Sequence, residues 1–209
     1  MIPRSILAIA RIGFAALALV AIGYTLWKTA DAGTLDVVNF FSYFTILSNL
    51  LAVVSLVGGV LRGDRTPSRG WDLLRGQAVV MMTVTLVVYA LLLEDTDVAL
   101  SDAWVNITLH KLFPIVVIAD WLLDPPDAAV SVRDSLVWLA FPLLWTGYTL
   151  VRGALVGWYP YPFLDPANGG YATVAAYVLG VLVFGAVVSA VVAVAGNAMR
   201  GRRLVTAPA

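Results

Sequence analysis

The sequence predicts an all-α polytopic membrane protein, one domain over residues 1–209, built as a bundle of six transmembrane helices with both termini cytoplasmic. Three observations carry the prediction. The 209-residue chain is 61% hydrophobic and only 12% charged, against roughly 45–50% apolar and about 25% charged in soluble domains; its mean hydropathy is +0.90. Six segments each supply the about 20 mostly apolar residues that a spanning helix needs. The stretches between them are short and punctuated by Pro and Gly, which mark loops rather than further elements.

The first segment, Ser5–Trp27, carries Arg11 inside its apolar run. Ala30-Asp31-Ala32 after it resembles a signal-peptide cleavage site, but the arginine and the length of the run argue for retention as a helix. Val37–Leu61 is the second segment, closed by the loop Arg62–Arg75 with TPSRG. Gly76–Leu93 is the third, and an acidic connection with Glu94, Asp95, Asp97 and Asp102 follows it. The fourth, Trp104–Leu123, holds the only histidine, His110, and Pro114; the turn Asp124–Asp134 begins DPPD. The fifth is Ser135–Val156, and the loop Trp158–Gly170 with YPYPFLDPANGG leads into the sixth, Tyr171–Asn197.

Cation placement sets the expected orientation, because Lys and Arg concentrate in cytoplasmic loops. With the N-terminus inside, Arg4, Arg11, Arg62, Arg65, Arg69, Arg75, Arg133, Arg200, Arg202 and Arg203 share the cytoplasmic side. Only Lys28, Lys111 and Arg152 fall in the outer half. Tyr24, Trp27, Trp104, Trp158, Tyr159 and Tyr161 cluster at the outer interface, where amphipathic rings settle. An Ala-, Val- and Arg-rich composition fits a bacterial source, and with it the cytoplasmic membrane.

Composition also excludes chemistries. Thirteen basic and thirteen acidic residues cancel, so there is no basic excess for nucleic acid. With no cysteine, disulfides, Cys-ligated zinc, iron–sulfur clusters and thiol nucleophiles are ruled out. One histidine rules out bis-histidine haem and multi-His metal sites within the chain. No nucleotide, hydrolase-elbow or HExxH motif is present. No cofactor or metal is expected.

The remaining chemistry lies in polar groups within the spans, which are costly in hydrocarbon. FFSYFTILSNLL, Phe40–Leu51, carries Ser42, Thr45, Ser48 and Asn49 at steps of three and four, which predicts one helix face. At 1.5 Å per residue Thr45 lies about 12 Å below the start of the second segment, and His110 about 9 Å below the start of the fourth. A hydroxyl and an imidazole at one depth are placed to meet across two packed helices. Asn106, one turn before His110, is placed to orient the ring through its side chain. Pro114 cannot donate to the His110 carbonyl, so a kink and a pocket are expected there. The ordinary alternatives are back-bonding of Ser and Thr to their own helix and an interhelical hydrogen bond from His110. Lys111 and Arg152 either snorkel to the headgroups or receive a substrate carboxylate, and Asp120 is expected to be solvated near the inner interface.

Three passages, in order and spacing, resemble the androgen-induced membrane proteins, the family that includes the androgen-dependent regulator of tissue factor pathway inhibitor. They are the FTI step around Thr45, WVNITLHKLFPIVVIADWLL from Trp104 to Leu123, and YPYPFLDP from Tyr159 to Pro166. The resemblance implies a six-helix intramembrane hydrolase of fatty-acid esters of hydroxy fatty acids. It implies Thr45 as nucleophile and His110 as base, with a lipid ester as partner entering laterally from the outer leaflet among segments two to five. The chain departs from the animal members in Lys111 beside the histidine and in its serine-rich second segment, which keeps Ser42 and Ser48 as rival nucleophiles. Asn49 and Asn106 are the candidates to hold the ring or donate to the oxyanion, and no acid offers itself as a third member. The alternative is a non-enzymatic lipid-binding, carrier or scaffold protein using the same polar pocket.

Overall fold

A computed structural model describes residues 3–63, 68–94, 96 and 102–206. Arg65, Asp95 and Asp97, used above to argue orientation, lie outside the described residues. Among those described the chain is helical with no strand, and six helices are long and apolar enough to cross a membrane. They are α1 (Arg4–Asp31), α3 (Phe44–Arg62), α4 (Arg69–Leu93), α5 (Ala103–Leu123), α6 (Val132–Val156) and α7 (Gly170–Thr206), with a short α2 (Val37–Ser42) before α3. Large apolar side chains such as Ile9, Leu61, Leu144 and Leu155 face outward, which suits a hydrocarbon surround and not water.

Two boundaries differ from the sequence reading in ways that matter. The third span begins at Arg69, not Gly76, because Ser68 caps it by accepting from Trp71 N–H. Arg75 is therefore a buried residue inside α4, not a loop residue. The second span is not one helix: Tyr43 is extended at φ −67°, ψ 127° and separates α2 from α3.

One end of the bundle is locked by charge. Arg11 Nε donates to Asp120 Oδ1 at 2.6 Å, and its Nη2 donates to Asp120 Oδ2 at 3.1 Å and Asp124 Oδ2 at 2.6 Å. Arg75 Nη2 adds a 3.2 Å bond to Asp120 Oδ2 and a 2.6 Å bond to the Asp124 carbonyl. Asp120 is thus buried and shared by two arginines, a correction to its expected solvation; this α5 acid supplies the counter-charge that lets Arg11 sit within an apolar run. Burial alone would push the Asp124 carboxyl up, but Arg75, Arg11 and Arg203 hold it below the usual carboxylate range. Arg203 of α7 also pairs with Asp127 at 2.9 Å and lies 3.6 Å from Asp124, the carboxylate that Arg11 of α1 binds, so cations of the first and last spans converge on one carboxylate at this end. Ala15, Ala18 and Ala21 of α1 lie in the core, making that helix an integral part of the bundle.

At the opposite end the 157–169 connection folds back onto the helices. Gly153 makes this possible, since a Cβ there would lie 2.0 Å from Tyr159 Cε1. Tyr159 docks in the space that glycine leaves, and the following turn carries Tyr161 inward, where it is 6% exposed.

Candidate active site

The break at Tyr43 decides where Thr45 stands. Ending α2 at Ser42 frees that carbonyl, and the Trp145 indole of α6 donates to it at 2.9 Å. Ser42 Oγ donates back to the Val38 carbonyl at 2.6 Å and meets Tyr148 OH at 2.8 Å. The break is therefore held by α6, and Ser42 serves it rather than a shared face with Thr45. The new helix starts at Phe44, placing Thr45 in its first turn, where backbone N–H groups have no partner within the helix and the dipole favours negative charge.

His110 sits in a second irregularity. Residues Thr108–Leu112 form a π turn that ends two residues before Pro114, so the predicted disturbance takes the form of a widened turn. Proline has no N–H to contribute to that turn. Asn49 Nδ2 supplies a donor instead, reaching the Leu109 carbonyl at 3.2 Å and the Thr45 carbonyl at 2.8 Å. One amide thus ties the nucleophile candidate's turn to the histidine's turn.

Thr45 and His110 meet: Oγ1 lies 3.2 Å from Nε2, and the two residues are 4% and 2% exposed. His110 Nδ1 is 3.2 Å from the Asn106 backbone carbonyl. A carbonyl only accepts, so in the neutral ring Nδ1 carries the proton and Nε2 is left as an acceptor. The Thr45 hydroxyl then donates to Nε2. Tyr161 OH lies 3.2 Å from Thr45 Oγ1 and accepts the Thr45 N–H at 3.2 Å; its own proton points to the remaining lone pairs on Oγ1. Burial pushes the Tyr161 phenol up to about 12 against the pull of its Thr45 contacts, so it keeps that proton at neutral pH. The result is a directed chain, Tyr161 O–H to Thr45 O–H to His110, with His110 N–H to Asn106 O. Tyr89 stacks on the imidazole with ring centroids 4.2 Å apart and 20° between planes, fixing its tilt.

Two cavities converge on this chain, and Thr45, His110 and Tyr161 line both. One, about 180 Å³, is the more polar, with Thr25, Thr29, Thr34, Asp36 and Asn39 near the α1–α2 connection set among Leu35, Phe40, Ile46 and Trp158. The other, about 60 Å³, has apolar walls from α4, α6 and α7, including Val84, Val88, Leu139, Val181 and Leu182. The apolar chamber thus involves the sixth span, beyond the second to fifth expected to hold the lipid.

The other candidates fall elsewhere. Asn106 orients the ring through its backbone carbonyl, not its amide, whose Oδ1 is buried without a partner. Ser48 Oγ donates to the Thr45 carbonyl at 3.0 Å and meets Thr85 Oγ1 at 3.0 Å; it braces the turn from behind and lines neither cavity. Lys111 pairs with Glu94 and lies 5.8 Å over the Tyr89 ring. Arg152 donates to Asn39 Oδ1 at 2.7 Å and sits 5.2 Å over Trp158. Neither cation reaches the Thr45–His110 pair. The residues missed by sequence reasoning are Tyr161, set aside as an interface aromatic, and Tyr89. A tyrosine in a Pro-rich loop carries no periodic signal that it will turn inward; only the YPYPFLDP passage hinted at it. Groups of three or more His, Asp or Glu able to hold a metal are absent among the described residues. No family model, curated protein or solved structure matches the chain.

Proposed function

We propose that the protein is an intramembrane hydrolase of lipid esters, such as fatty-acid esters of hydroxy fatty acids, acting through Thr45 and His110. One observation carries the reading: the Thr45 hydroxyl is aligned on an unprotonated imidazole nitrogen at the boundary between a cavity of mixed polarity and an apolar one. An ester linking a long acyl chain to a more polar remainder matches that division, and water reaches the bond from the polar side. The resemblance in the FTI, WVNITLHKLFP and YPYPFLDP passages points to the same pair.

Thr45 Oγ1 attacks the ester carbonyl carbon while its proton passes to His110 Nε2. Tyr161 O–H and the first turn of α3 face the developing oxyanion, where a preorganised donor is worth about 3 kcal/mol. The tetrahedral species collapses, the C–O bond to the alcohol breaks, and that oxygen takes the proton from Nε2. Water then attacks the acyl-threonine, giving its proton to Nε2. Collapse releases the carboxylic acid, and the Thr45 oxygen recovers a proton from His110. The Asn106 carbonyl steadies the imidazolium at each stage in place of a carboxylate.

The cation distribution supports the cytoplasmic membrane as location, with the Arg11–Arg75–Arg203 end inside and the site in the outer half. The test is labelling of the detergent-purified protein with a fluorophosphonate ester probe, together with turnover across a panel of lipid esters. Labelling at Thr45, lost in Thr45→Ala and His110→Ala variants that still express and melt cooperatively, is the expected result. Labelling mapped to Ser42 or Ser48 would reassign the nucleophile. Absence of both labelling and turnover would leave a non-enzymatic lipid-binding pocket.

A further inference from the structure

Beside the apolar chamber, on the bilayer-facing side of the bundle, α4 and α7 diverge around a second apolar space of about 720 Å³. Its floor on α7 is built from Ala172, Ala176 and Gly180, one turn apart, while α4 contributes Val87, Leu91 and Leu92. Leu91 is 76% exposed, so the groove is open to the surroundings of the helices and not to the protein core. Val88 of α4 and Val181 of α7 line both this groove and the chamber at Thr45. Two half-buried valine side chains are thus all that the two linings share, and they stand where the spaces adjoin. The other cavity suits a hydrocarbon chain less well, since the hydroxyls of Thr25, Thr29 and Thr34, the Asp36 carboxylate and the Asn39 amide stand among its apolar walls.

We infer that the α4–α7 groove is a lateral portal, through which the acyl chain of a lipid passes directly from the bilayer, between Val88 and Val181, to the chamber beside Thr45. The occupant is a saturated or lightly unsaturated hydrocarbon chain. No polar side chain except the Thr173 hydroxyl and Tyr177 phenol lines the groove, so a headgroup gains nothing by entering. A chain leaving bilayer for groove exchanges one apolar environment for another and loses no hydrogen bonds. The role of the portal as substrate entry rests on the ester-hydrolase reading, while its occupancy by a lipid chain does not.

The experiment therefore has two arms. In the first, wild type in nanodiscs is irradiated with a diazirine-bearing palmitoyl phospholipid and with diazirine palmitate, and adducts are mapped by mass spectrometry. Adducts concentrated on 87–92 and 172–184 support the portal; adducts spread evenly over the outward faces around Leu144 and Leu155 overturn it. In the second, Gly180→Trp and Ala176→Trp fill the groove, and hydrolysis of a palmitoyl ester is compared with that of the corresponding acetyl ester. A Cβ at Gly180 meets nothing within 4 Å, so that substitution projects into open space. The palmitoyl-to-acetyl rate ratio is expected to fall by about tenfold or more, and an unchanged ratio overturns the entry role. If wild type hydrolyses neither ester, the hydrolase reading fails, and the adduct map alone decides the portal.

Discussion

The Tyr161 hydroxyl lies 3.2 Å from the amide nitrogen of Thr45 and 3.2 Å from its Oγ1. One phenol from the connection between α6 and α7 therefore satisfies the unpaired N–H of a helix first turn and orients the hydroxyl of the same residue. When Oγ1 becomes bonded to an acyl carbon, the phenol O–H is free to donate a hydrogen bond to the oxyanion beside it. Tyr161→Phe is expected to lower kcat/KM by about 10²- to 10³-fold, the usual effect of removing one oxyanion donor. The same change leaves the Thr45 N–H unsatisfied, a stability cost of about 1–3 kcal/mol. Steady-state kinetics and thermal melts in one detergent separate the two effects.

Thr45→Ala and His110→Ala should each abolish turnover, and the double variant should be no worse than either single one, because members of a proton-transfer pair act as a unit. Thr45→Ser should keep measurable activity, since the hydroxyl and its partners remain. Residual rates well below those of the single variants in the double would show two independent contributions and break the pair.

Asn49 holds the carbonyls of Thr45 and Leu109 together across α3 and α5. Asn49→Leu keeps the branching of the side chain but takes the amide donor from the Leu109 carbonyl, at a cost of about 1–3 kcal/mol in a buried site, while the Thr45 carbonyl keeps its bond from Ser48 Oγ. A lower melting temperature together with weaker probe labelling is expected. Loss of labelling without any change in melting would instead give Asn49 a direct part in the chemistry.

The charged end offers a stability test remote from the site. Asp120→Leu leaves Arg11 and Arg75 without their shared acceptor, and removing one partner of a buried network costs about 3–5 kcal/mol. Asp124 adds a pH dependence. Its carboxyl is held below the ordinary 3.8 in the folded protein, so the unfolded chain binds a proton more readily. The stabilisation it contributes is complete above that ordinary value and is lost as pH falls through the lower folded-state value. Melting curves from neutral pH down toward pH 3 should steepen in their decline at the acid end, and Asp124→Asn should flatten that decline.

Much of the fold is legible in the sequence because spanning is a property of single segments. Each apolar run is long enough by itself, and the equal depths of Thr45 and His110 follow from counting residues at a fixed rise. The site's second half is not legible in this way. Counting puts Asn106 one turn before His110, but that its carbonyl and not its side chain holds the ring is decided by the folded chain. Arg75 and Asp120 read as interface residues until Arg11 is seen to reach them both.

By itself the sequence determined six apolar spans, a cluster of intramembrane hydroxyls, and one histidine at a matching depth. Tertiary structure alone decided that FFSYFTILSNLL breaks at Tyr43, that α5 widens before Pro114, and that Tyr161 turns inward. The reason is the same in each case. An irregular backbone in hydrocarbon survives only where other parts of the chain satisfy its freed groups. Here those partners are Trp145 for the Ser42 carbonyl, Asn49 for the Leu109 carbonyl, and Tyr161 for the Thr45 N–H. All three come from other helices or loops, so the irregularities that create the site exist only in the assembled bundle.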